Sequence, residues 1–75
     1  MKNKYAKLIR ELHLGVKETM ADMELCGVDI SADEVASEMA EGILYDEPWV
    51  NKYLMSIGVR DVVGRFADDI YSGRA

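Results

Sequence analysis

Seventy-five residues, 49% of them hydrophobic and 31% charged with a net charge of −5, suffice for one small globular domain and leave no room for a second. One cysteine, Cys26, and one histidine, His13, exclude an internal disulfide and a cysteine/histidine zinc site, the usual staples of so small a core. No apolar run approaches the roughly 20 residues that span a bilayer, and the opening MKNKYAKLIR lacks the apolar core of a secretory signal, so a cytoplasmic location without membrane contact is expected.

Residues 1–75 read as a single all-α domain, a bundle of about four helices of which the first is the longest. Tyr5, Ile9, Leu12, Val16, Met20 and Met23, flanked by Leu8, fall within about 60° of one line at 100° per residue, which predicts an amphipathic helix over residues 4–25. Gly27 suits its left-handed C-terminal cap, while Gly15 weakens its interior. Ser31-Ala32-Asp33-Glu34 is a capping box that opens a second helix, residues 31–44. Val35, Ala36, Met39 and Ile43 lie on one side of it, and Glu34, Glu38 and Glu41 on the other. Pro48 is tolerated in a first turn and starts a short third helix, residues 48–57, presenting Trp49, Val50, Tyr53, Leu54 and Ile57. After Gly58 a fourth helix, residues 60–72, turns Val62, Val63, Phe66 and Ile70 inward, spaces Asp61, Arg65 and Asp69 for (i, i+4) ion pairs, and closes at Gly73. The expected core is Ile9, Leu12, Val16, Met20, Met39, Trp49, Leu54, Phe66 and Ile70.

The charge map is sharply divided. Residues 1–20 hold five basic and two acidic groups, residues 21–50 hold nine acidic groups and no lysine or arginine, and residues 51–75 hold four basic and three acidic groups. Solubility alone is served better by interspersed signs, so the uncompensated segment reads either as a docking face or as a solvated helix face. Glu34, Glu38 and Glu41 follow (i, i+4, i+7) spacing, which sets successive carboxylates about 4.5 to 6 Å apart along the axis, comparable to phosphates along a nucleic-acid strand. Leu14, Ala21 and Leu25 share a second apolar side of the first helix, to be covered by another helix of the same domain, by a second copy in a homodimer, or by a partner.

No motif points to catalysis. Cys26 sits near a helix C-terminus between Glu24 and Asp29, surroundings that disfavour a thiolate, and His13 at the edge of the apolar stripe has no serine or aspartate tied to it. Asp29, Asp33 and Glu34 do not follow the calcium-loop spacing, and no glycine-rich phosphate loop occurs. A non-enzymatic chain without cofactor or metal is therefore expected.

The reading that absorbs the charge map is a stoichiometric inhibitor or regulator. Asp33, Glu34, Glu38, Glu41, Asp46 and Glu47 would meet the basic surface of a nucleic-acid-processing protein, with Tyr45 and Trp49 as aromatic anchors. By analogy of size and charge this is how small, cofactor-free inhibitors encoded by viruses and other mobile elements act. The alternative is a helix-turn-helix-like transcriptional regulator binding DNA as a dimer. Direct nucleic-acid binding is disfavoured, because the recognition helix would offer Lys52 alone, and only the first helix or Arg60, Arg65 and Arg74 remain to meet phosphates.

Overall fold

The computed structural model describes residues 2–74, so the reading of 1–75 as one domain reaches one residue past the described span at each end. Four helices and no strand make up these residues: α1 (Lys2–Leu25), α2 (Ala32–Asp46), α3 (Pro48–Ser56) and α4 (Val62–Ser72). The expected class and the order of lengths are both present. At 1.5 Å per residue α1 is about 36 Å long, and it accounts for the long dimension of a body measuring 41 × 20 × 20 Å. Among the described residues no helix is long and apolar enough to cross a membrane.

The boundaries follow from local chemistry. The Ser31 hydroxyl accepts the Glu34 amide at 3.2 Å and caps α2. That helix runs two residues beyond the expected Leu44 and stops at Asp46, because a residue before proline, here Glu47, is pushed out of the helical region. The fourth helix starts at Val62 rather than Arg60, since Asp61 is its cap, with Oδ1 accepting the Gly64 amide at 3.1 Å. Asp61 is thereby withdrawn from the expected ion-pair ladder. Gly27, Gly58 and Gly73 all carry positive φ where helices end. At Gly73 the requirement is double: φ is 72°, and an added Cβ would stand 3.0 Å from the His13 ring.

Ile9, Ala36, Ala40, Val50, Leu54, Phe66 and Ile70 are fully buried, with Tyr5, Val16, Val35 and Val62 nearly so. Five of the expected core residues, Ile9, Val16, Leu54, Phe66 and Ile70, lie in this set. Leu12, Met20, Met39 and Trp49 are only partly buried and pack around it. Two inward assignments are corrected. Val63 is 44% exposed: in the first turn of α4 the residue packed inward is Val62, about 100° away, and Ile70, which shares Val63's side of the helix within about 20°, is buried two turns further on. Ile57 is 53% exposed because it caps α3 in a non-helical conformation, where the helical period no longer aims it at the core.

α1 is fastened to α4 by polar contacts that no local pattern announces. The Tyr5 hydroxyl donates to Asp69 Oδ2 at 2.6 Å across 64 residues of sequence, and Arg65 Nε lies 3.2 Å from both Asp69 oxygens. Asp69 is 6% exposed, and these donors satisfy a carboxylate that would otherwise be costly to bury. The Tyr5 ring also meets Tyr53 of α3 and Phe66 of α4, with centroids 5.0 and 6.0 Å away. Two turns on, His13 Nδ1 lies 2.9 Å from the Ile70 carbonyl oxygen, which fixes the ring proton on Nδ1. Contacts advance together along both helices, so α1 and α4 run in the same general sense.

Burial and the bond to Asp69 push the Tyr5 hydroxyl well above its ordinary pKa of 10.0. The folded state therefore keeps the phenolic proton while the unfolded chain gives it up near pH 10, so this contribution is complete below about pH 10 and is lost as pH rises further. Urea unfolding of wild type and Tyr5→Phe from neutral pH to about pH 11 is expected to show a stability gap that shrinks only above about pH 10. The glycines give a second expectation. Gly42, where an added Cβ meets nothing within 4 Å, lies inside α2. Gly42→Ala should raise stability by about 0.5 to 1 kcal/mol, whereas Gly73→Ala should lower it by at least that amount, both read from thermal melts.

Candidate protein-binding face

Ser31 sets where α2 begins, and thereby the rotation at which its carboxylates emerge. With Val35, Ala36 and Ala40 buried, Glu34, Glu38 and Glu41 are exposed on the opposite side. Tyr45 continues the same line at the next (i, i+4) step and is 87% exposed. The four residues form one stripe about 16 Å long. Asp33 and Asp46 are exposed but each about 100° away around the axis, on opposite sides, so neither stands on the stripe itself.

Glu47 and Trp49 are placed differently. Glu47 Oε2 accepts from Trp49 Nε1 at 3.0 Å, and Lys4 Nζ of α1 sits 4.3 Å from the Trp49 ring centroid. Partly buried against the core, Trp49 thus has its polar edge and one face already engaged within the chain. The protruding aromatic beside the acidic stripe is Tyr45.

All nine carboxylates of residues 21–50 are exposed. Among the described residues the one ion pair within 4 Å is Arg65–Asp69, so no cation closes on any of the nine. Nor do three histidine, cysteine or carboxylate groups converge on a metal-sized site among the described residues. Cys26 is exposed just past α1, and His13 is committed to the Ile70 carbonyl.

Leu14, Ala21 and Leu25 are exposed, Leu14 by 58% and Leu25 by 87%. The expectation that another helix of the same domain covers them is thereby corrected: α2 and α4 pack on the Tyr5/Ile9/Val16 side of α1, the opposite face. Beside them lies a cleft that periodicity did not reveal, about 670 Å³ in volume, between the second half of α1, the 26–31 connection and Tyr71 of α4. The helix pair weighed as a helix-turn-helix, α2 and α3, is joined by the single residue Glu47, shorter than the three to four residues of that turn. No protein-family model, curated protein or solved structure matches this chain.

Proposed function

We propose that this chain is a non-catalytic protein-binding module, a stoichiometric inhibitor or regulator that lays the Glu34/Glu38/Glu41 stripe of α2 on a basic surface of a partner protein, one that otherwise holds nucleic acid. The observation that carries this reading is the set of nine exposed carboxylates with no paired cation among the described residues, three of them in line and leading to an exposed tyrosine. Leaving them unpaired costs self-repulsion, which a partner's lysines and arginines would relieve. The carboxylates would act mainly at long range, steering approach and setting register, while Tyr45 supplies contact area at low entropic cost. Trp49, clasped by Lys4 and Glu47, contributes by holding the α2–α3 corner in place. The DNA-binding alternative has less to stand on. The exposed cation of α3 is Lys52, and Arg65 is engaged with Asp69.

The test uses immobilised chain and a nuclease-treated extract of the source organism. The wild type should retain a basic protein that salt elutes and duplex DNA displaces. Glu34→Lys combined with Glu38→Lys should keep full helicity and slow association with that protein by about tenfold or more at low salt. Equal retention by the folded double variant would overturn the reading. So would salt-sensitive binding of the wild type to duplex DNA, which would favour the dimeric regulator instead.

A further inference from the structure

The second half of α1 carries a ridge and a groove side by side. Leu14, Ala21 and Leu25 form the ridge on the side turned from the bundle, and Val16, Met20, Ala21, Val28, Ile30 and Tyr71 supply the apolar lining of the groove. Ala21 belongs to both. A two-fold contact uses the same patch on each copy.

Two charged residues of the groove define an orientation. Lys17 and Glu24 both line it. They stand on one flank of α1, about 20° apart at 100° per residue, and are about 10 Å apart along the axis. That separation is too long for pairing within one copy, and neither makes an ion pair among the described residues. In antiparallel helix pairs, residues of the same flank face one another. A two-fold axis midway between Lys17 and Glu24, beside Met20 and Ala21, brings each Lys17 opposite the partner copy's Glu24, so one register creates two ion pairs. The same register puts the small Ala21 at the crossing point and brings Leu25 within about 3 Å along the axis of the partner copy's Leu14, which shares its flank of α1.

We propose that two copies of this chain pair through this face, α1 against α1 in antiparallel sense, with Leu25 of each beside the partner copy's Leu14 and each Lys17 meeting the partner copy's Glu24. The contact uses the outer side of α1 and leaves the acidic stripe of α2 out of the interface, so it stands or falls independently of the proposed function.

Sedimentation equilibrium over a micromolar to submillimolar range tests it, with circular dichroism confirming that each variant folds. Wild type should show a monomer–dimer equilibrium. Lys17→Glu and Glu24→Lys should each weaken it by about tenfold, since each turns two attractions into two repulsions, and the double exchange should restore it. Geometry is read by cross-linking with oxidised glutathione. Ala21→Cys in a Cys26→Ser background should form a disulfide-linked dimer, while wild type should not, because the antiparallel register holds the two Cys26 residues about 16 Å apart along the axis. A wild type that stays monomeric throughout the range, a double exchange no better than either single one, or cross-linking through Cys26 instead of position 21 would each overturn the proposal.

Discussion

A carboxylate buried in an 8.4 kDa protein sets the terms for everything around it. Asp69 sits inside the packed face of α4, and the donors that make its burial tolerable come from Arg65 one turn earlier and from Tyr5 at the far end of the chain. The arginine is half exposed and screened, so its share is small. The tyrosine bond is dry, and its ring is wedged between Tyr53 and Phe66. Three of the four helices therefore meet at one phenol. Because that phenol sits near the start of α1 and His13 is held by the Ile70 carbonyl two turns later, α1 is fixed in rotation as well as position.

Fixing the rotation of α1 decides what the protein shows to its surroundings. With Tyr5, Ile9 and Val16 turned inward, Leu14, Ala21 and Leu25 necessarily face out. On α2 the same logic runs from the cap. Ser31 starts the helix, the small Ala36 and Ala40 let it lie close on its neighbours, and the three glutamates are left in one exposed row. The molecule thus presents two chemically distinct faces on two helices, one acidic and one apolar, the latter flanked by Lys17 and Glu24.

Much of this architecture was legible in the residues themselves. Periodicity gave four helices, and the capping serine, the proline and the glycines marked most of their ends, because those signals are local and each has one dominant physical cause. What escaped was non-local. Asp69 read as one rung of an exposed ion-pair ladder, since nothing within a turn of it distinguishes a carboxylate awaiting a phenol 64 residues away. Val63 and Ile57 read as inward by hydrophobicity, although one stands in the first turn of α4 beside the inward Val62 and the other past the helix end. Trp49 read equally as anchor or core, and only the positions of Lys4 and Glu47 show it clasped within the chain. The acidic row was visible from spacing alone, whereas its extension to Tyr45 needed α2 to run to Asp46, two residues past its expected end at Leu44.

The claim that one buried phenol–carboxylate bond holds α1 against α4 is tested most directly by a double-mutant cycle in urea at neutral pH, using Tyr5→Phe, Asp69→Leu and the two together. Each single change leaves a buried polar group without its partner, whereas the double change removes both, so the account predicts that the pair is less destabilised than the sum of the singles by about 1 to 3 kcal/mol. Additivity within about 0.5 kcal/mol would contradict it.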